Sequence, residues 1–184
     1  IYFSKRVTRA VPDGGPIEAH TDLVKKLDYE CELAVVLGRD ARDVPAGQTR
    51  DYIFGYTILN DVSARDVQTA HKQWYFGKSL DGFTPIGPCI VTADVFADYP
   101  PRLGIRSFVN GEKRQDSNTA LQIFDIDHVI AELSQGMTLK AGTIIATGTP
   151  AGVGMGMDPP QFLKPGDVVR CEIDGIGTLT NPVE

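Results

Sequence analysis

Cysteine is scarce in this sequence: Cys31, Cys89 and Cys171 stand far apart, with no Cys-x-x-Cys pair among them. That argues against a disulfide framework and a zinc ribbon, and it fits a reducing cytosol. Long apolar runs are missing as well. None approaches the roughly 20 residues that span a bilayer, and no charged-then-apolar leader opens the chain. Blocks of lysine or arginine are absent and the net charge is -6, which speaks against a nucleic-acid surface or an anionic-membrane patch. A small soluble ligand is the partner class left. At 184 residues with 42% hydrophobic content, the chain suffices for one well-filled core, and residues 1–184 are read as a single domain. It opens on Ile1 rather than methionine, and Ile1 to Phe3 already reads as strand, so an N-terminal segment is expected upstream.

Nineteen glycines and twelve prolines punctuate short runs rich in Val, Ile and Thr, the composition of many strands joined by tight turns. The expected fold is mainly β with a few short helices. Strands are predicted at Leu33 to Leu37, Tyr52 to Leu59, Ile86 to Thr92, Ile105 to Val109, Thr143 to Thr147 and Val168 to Ile173. Asn110-Gly111 and Asp174-Gly175 occupy hairpin positions. One helix is predicted to open at Ser63, its hydroxyl capping the amide of Asp66. A second carries Ile126, Val129, Ile130 and Leu133 on one face, with Asp125 as cap and Gly136 as stop.

The chemistry begins at Glu30 and Glu32. Two apart at the head of an apolar strand, they point to one face while Cys31, Leu33, Val35 and Leu37 take the other. Adjacent buried carboxylates repel and resist desolvation, so positive charge must sit between them. Either a pair of basic side chains or a divalent cation supplies it. Asp61, at the end of the next strand and just before a helix start, favours the cation, because strand ends of this kind present ligating side chains. Three oxygen donors without histidine or thiolate suit a hard ion that keeps waters: Mg2+ first, Mn2+ second, Ca2+ third. Lys78 in Phe76-Gly77-Lys78-Ser79 can balance the remaining negative charge.

The same residues fall into a longer pattern. Glu30-Cys31-Glu32 before Leu33-Ala34-Val35-Val36, then Gly55-Tyr56-Thr57, the run from Asn60 through Asp61, Ser63, Arg65 and Asp66 to Gln68, Gly77-Lys78-Ser79, and Thr147-Gly148-Thr149-Pro150-Ala151-Gly152-Val153-Gly154 together make the chain resemble the fumarylacetoacetate hydrolase family, from about Ile1 to Asn181. The resemblance implies a mixed β-sandwich roll, a homodimer, and a cytoplasmic metal-dependent enzyme acting on acylpyruvate-like or oxaloacetate-like acids. Position by position it makes Glu30, Glu32 and Asp61 the metal ligands, Lys78 the active-site lysine, Gln68 a substrate-contacting glutamine and Thr149 the residue that holds the substrate carboxylate. Two departures stand out. Many members carry a histidine and a glutamate on an N-terminal lid, and none of His20, His71 or His128 occupies that position. Lys72 replaces the tyrosine that follows the glutamine by one helical turn in the hydrolase that names the family, so fumarylacetoacetate itself is not the expected substrate.

The expected reaction activates a small 2-oxo acid through a metal-bound enolate, with Lys78 stabilising the developing charge. Gln68 orients a carbonyl or water, and Gly148 and Thr149 offer donors to the far carboxylate. C-C cleavage of an acylpyruvate or decarboxylation of oxaloacetate is placed first. Isomerisation or hydration of a 2-hydroxy-dienoate diacid from aromatic catabolism comes second, and a non-catalytic metal-binding paralogue is the competing class. Neither a phosphate loop nor a dinucleotide fingerprint survives inspection of its glycine spacing. Trp74, Tyr75 and Phe76 are read as core or dimer packing, Arg65 and Asp66 as a structural ion pair, Cys31 as a buried small apolar residue, and Asp81 as a turn residue.

Overall fold

The computed structural model describes residues 1–184. In chain order the strands are β1 (Leu27–Asp28), β2 (Cys31–Leu37), β3 (Ile53–Asn60), β4 (Ser63–Ala64), β5 (Ile86–Thr92), β6 (Gly104–Val109), β7 (Glu112–Asn118), β8 (Ile144–Ala146), β9 (Val168–Ile173) and β10 (Gly177–Pro182). The helices are α1 (Arg65–Ala70), α2 (Tyr75–Lys78) and α3 (Ile126–Leu133). The mainly β class is therefore as expected, and no helix is long and apolar enough to cross a membrane. Two four-stranded sheets, ordered β5-β3-β2-β8 and β10-β9-β6-β7, hold the core between them, with β1 and β4 as a small separate ladder. All the strand ladders are antiparallel, and parallel pairing enters only as the bridges Val11 to Pro85 and Ile17 to Val183.

All seven residues of β2 are buried. Cys31, Leu33, Val35 and Leu37 belong to the main hydrophobic cluster, the face assigned to them by alternation. With β3 on one side and β8 on the other, the strand has a fixed register, because a slip of one residue would drive Glu32, and Glu30 just ahead of the strand, into that cluster.

Several local expectations change. Tyr52 closes a 3-10 turn, Thr49–Tyr52, so the strand starts at Ile53 and runs on to Asn60. Residues 1–7 form no strand. Ser63 does not cap α1: it lies in β4, its hydroxyl donates to the Asp61 carbonyl at 2.8 Å, and the N-cap is Ala64 without a side-chain bond. A neighbouring carbonyl within reach captured that hydroxyl before the helix could. In α3, by contrast, Asp125 accepts from the His128 amide at 2.8 Å, as a cap should. Asn110-Gly111 links β6 to β7 with φ of 53° and 83°. Between β9 and β10 the loop has three residues, Asp174 to Ile176, and Gly175 carries the positive φ of 76°. Tyr75 and Phe76 are not core, being nearly half exposed, while Trp74 stands edge-on to Phe3.

Helix α2 reaches the site because it lies unusually close to α1. A Cβ on Gly77 would sit 2.5 Å from the Gln68 amide nitrogen and 2.8 Å from the Ala64 carbonyl. Gly77→Ala must push the two helices apart, which costs about 2 kcal/mol for overpacking of this kind. For a chain of this size that is a fall of roughly 4–8 °C in midpoint, checked by thermal unfolding followed by circular dichroism.

Candidate active site

The two glutamates stand at the head of β2 and Asp61 follows the last residue of β3, which pairs with Cys31. Adjacent antiparallel strands thus bring the three side chains together: one carboxylate oxygen from each lies within 4.8 Å of the others, and all three residues are buried. They line a cleft of about 1570 Å³, together with Arg65, Gln68, Lys78, Gly148 and Thr149. Lys72 and Asp81 are outside its lining.

Basic side chains surround the trio. Lys78 Nζ lies 2.8 Å from Glu30 Oε2 and 2.6 Å from Asp61 Oδ2. Arg65 does not pair with Asp66. Its Nε is 2.9 Å from Asp28 Oδ2 and its Nη1 2.6 Å from Glu30 Oε1, while Asp66 accepts the Lys25 amide at 2.8 Å. The reason is that Arg65 begins α1 on its buried side, where Asp28 waits; the half-buried Asp66 is left for the Lys25 amide. Lys5, unforeseen in the sequence, places Nζ 2.6 Å from Asp61 Oδ1. It is separated from Asp61 by 56 residues, and no local pattern marks it.

Charge is consequently uneven. Four buried carboxylates, Asp28, Glu30, Glu32 and Asp61, face three buried or nearly buried cations, Lys5, Arg65 and Lys78. Glu32 pairs with none of them: its bond is to the Gly148 amide, at 2.8 Å. Burial first, then the neighbouring charges of Asp61 and Glu30, push its carboxyl well above the usual range. Burial acts on Asp61 in the same sense, but Lys5 and Lys78 outweigh it and hold that carboxyl low. Burial would lower Lys78, yet Asp61 and Glu30 more than offset it, so the ammonium stays protonated. Three convergent carboxylate oxygens, one of them from a glutamate with no cation of its own, are an all-oxygen donor set that a divalent cation fits.

The Thr147-Gly148-Thr149 turn is committed differently from the expectation. Thr147 and Thr149 hydroxyls donate to the Leu33 and Cys31 carbonyls at 2.8 and 2.9 Å, and the Gly148 amide is taken by Glu32. With β8 ended at Ala146, these donors complete the edge of β2 instead of facing a free carboxylate. The Thr149 amide is left without a protein acceptor. Gln68 is buried, and its Oε1 accepts from Arg65 Nη1 at 3.2 Å.

The raised carboxyl of Glu32 has a stability consequence. An acid whose folded-state pKa lies above its unfolded value of about 4.3 weakens the fold as pH rises from that value through the folded one. Glu32→Gln keeps an acceptor for Gly148 and removes the charge. In chelator-treated protein it is expected to unfold at higher temperature than the parent at neutral pH, with the gap closing near pH ~4, as read by scanning calorimetry across pH.

Comparison with known proteins places the chain in a family. The family model described as fumarylacetoacetate (FAA) hydrolase C-terminal matches residues 1–184. The oxaloacetate tautomerase YisK of Bacillus subtilis (strain 168) is 46% identical over 181 residues, covering 98% of this chain and 60% of that protein. Among solved structures, fumarylacetoacetate hydrolase (EaFAH) from psychrophilic Exiguobacterium antarcticum superimposes with a TM-score of 0.96 at 49% identity, over 99% of this chain and 65% of that one. The 5-carboxymethyl-2-hydroxymuconate delta-isomerase from Mycobacterium smegmatis gives a TM-score of 0.87 at 42% identity, over 98% and 68%. The chain spans about 60% of the length of the curated relatives it matches. A family match over the whole chain, with the same fold at this level of identity, means that the chain belongs to the fumarylacetoacetate hydrolase family.

Proposed function

We propose that this chain carries the active site of a divalent-metal-dependent enzyme that enolises a small 2-oxo acid, with Glu30, Glu32 and Asp61 as ligands to Mg2+ or Mn2+. The observation that carries the reading is the convergence of three buried carboxylate oxygens within 4.8 Å, one of them without a cation. When bound, such an ion supplies Lewis-acid polarisation of the 2-oxo group. Ca2+ fits the donor chemistry less well, because three carboxylates provide few of the 6–8 oxygens it takes.

The protein's own groups then have distinct tasks. Lys78, placed in the cleft by Glu30 and Asp61, stabilises negative charge on the substrate oxygen. Arg65, fixed by Asp28 and Glu30 in the cleft lining, supplies a positive charge suited to a substrate carboxylate. Gln68 orients a carbonyl or a water from the first turns of α1. The Thr149 amide serves the far carboxylate, which narrows the roles expected of Gly148 and Thr149 to one backbone donor. Enolisation moves one proton, from the carbon beside the carbonyl to an oxygen or to the far end of a conjugated system. Tautomerisation or isomerisation is the reading favoured, supported by the names of the Bacillus and Mycobacterium relatives. C-C bond cleavage is retained second, supported by the hydrolase name of the Exiguobacterium protein. The exposed Leu121, Ile123 and Phe124 support a homodimer, and three free thiols support a reducing cytoplasm.

Oxaloacetate, an acylpyruvate and a 2-hydroxy-dienoate diacid are to be assayed with Mg2+, with Mn2+ and with chelator. Ultraviolet loss of the oxaloacetate enol band, dependent on added ion, is the expected result; turnover of every substrate unaffected by chelator overturns the reading. Asp61→Ala is expected to lose both bound Mn2+ and turnover, as measured by elemental analysis alongside rates. Lys78→Met retains the ion but slows turnover by roughly two orders of magnitude, the equivalent of about 3 kcal/mol of lost charge stabilisation.

A further inference from the structure

Strand β2 has a gap in its pairing where its chemistry lies. On one side β3 accompanies it from Cys31 to Leu37. On the other, β8 pairs only with Ala34 to Val36, and Thr147 extends the contact to Leu33. Beyond that point the peptide of Cys31, which joins the two glutamates, has no neighbouring strand on this side. A buried N-H and C=O so placed require partners.

Two side chains provide them. The Cys31 amide donates to Gln115 Oε1 at 3.1 Å, and the Cys31 carbonyl accepts from Thr149 Oγ1 at 2.9 Å. Gln115 Nε2 closes the ring by donating to Thr149 Oγ1 at 2.8 Å and to the Pro150 carbonyl at 2.7 Å. Gln115 comes from β7, the edge strand of the other sheet. It is fully buried on a strand otherwise exposed or half-buried. A bulge explains its direction: Ser107 pairs with Gln115 and Phe108 with Lys113, so Arg114 is the extra residue. Bulges of this kind re-aim a side chain.

We infer that Gln115 is a positioning residue of the active site: its carboxamide stands in for an absent strand beside Cys31, and so sets the two glutamates on one side and the Thr149 turn on the other. The inference rests on the proposed metal role of Glu30 and Glu32. Its physical basis is that Cys31 joins the two glutamates: the peptide plane before it is held by Gln115 at its N-H and the one after it by Thr149, itself bonded to Gln115, at its C=O, and alternation ties both side-chain directions to those two planes. Outer partners of ligating groups typically govern metal affinity by 10–100-fold.

The test uses Gln115→Met, similar in length but unable to bond, in the full-length protein with Mn2+ alone. Val109→Ala, a core truncation in the same sheet, is the stability control. Calorimetric titration is expected to show Mn2+ affinity reduced by roughly 10–100-fold in Gln115→Met and unchanged in Val109→Ala. Amide exchange of the metal-free proteins is expected to accelerate over residues 30–33 and 147–151 in Gln115→Met alone. If Gln115→Met does not fold, Thr149→Val, which removes the other half of the ring, is expected to show the same two changes. Mn2+ affinity equal to the parent's, or an equal loss in Val109→Ala, overturns the inference. Absence of Mn2+ uptake by the parent overturns the metal reading instead, while unaltered exchange in Gln115→Met overturns the positioning claim whatever the metal result.

Discussion

Four carboxylates held out of water around three cations are the constraint to which the rest of this structure answers. A buried charge without a partner is far more expensive than a lost hydrogen bond, so each acidic group needs a donor brought from elsewhere in the chain. Asp28 takes amides from Tyr29, Gly154 and Met155 as well as the Arg65 guanidinium. Glu30 is shared between Arg65 and Lys78, and Asp61 between Lys5 and Lys78. Glu32 alone has only an amide. The imbalance leaves Glu32 as the one acid without a cation, and the lattice of bonds around it keeps the carboxylates from relaxing apart.

Arranging those donors explains much of the architecture. Lys78 arrives on a one-turn helix that can approach α1 only across a glycine. Arg65 and Gln68 share the buried side of α1, three residues apart as helical geometry requires. The turn after β8 gives its hydroxyls to the edge of β2, so that the cleft wall and the acid-bearing strand are one hydrogen-bonded unit. Relatives bearing isomerase, tautomerase and hydrolase names are 42–49% identical to this chain, and the two solved ones share its fold.

The legible parts of the sequence were those whose signal is local. Alternation in β2 was readable because both faces are buried for different reasons, and α3 because its stripe and its Asp125 cap lie within one short stretch. Proximity of Asp61 to the glutamates followed from consecutive antiparallel strands. By contrast β7, with the sequence Glu-Lys-Arg-Gln-Asp-Ser-Asn, carries no apolar alternation, since its solvated side chains leave only Gln115 inside. Strand β10 contains Gly177 and Pro182, which read as turn residues and are tolerated at a sheet edge. Lys5, and the choice of Asp28 over Asp66 by Arg65, depend on partners 56 and 37 residues distant; no window along the chain contains both ends of such a bond.

The burial of β2 on both faces divides the molecule into parts with unequal freedom to vary. A change within the strand must satisfy the hydrophobic cluster behind it, the acids in front and the peptide bonds at its rim together, so few alternatives exist there. Leu121, Ile123 and Phe124, by comparison, border the cleft with exposed side chains, and of this stretch only Gln122 is tied to the rim of β2, by its bond to Thr147. A replacement at one of those three rim positions therefore reshapes the mouth of the cleft without disturbing the acid-bearing strand.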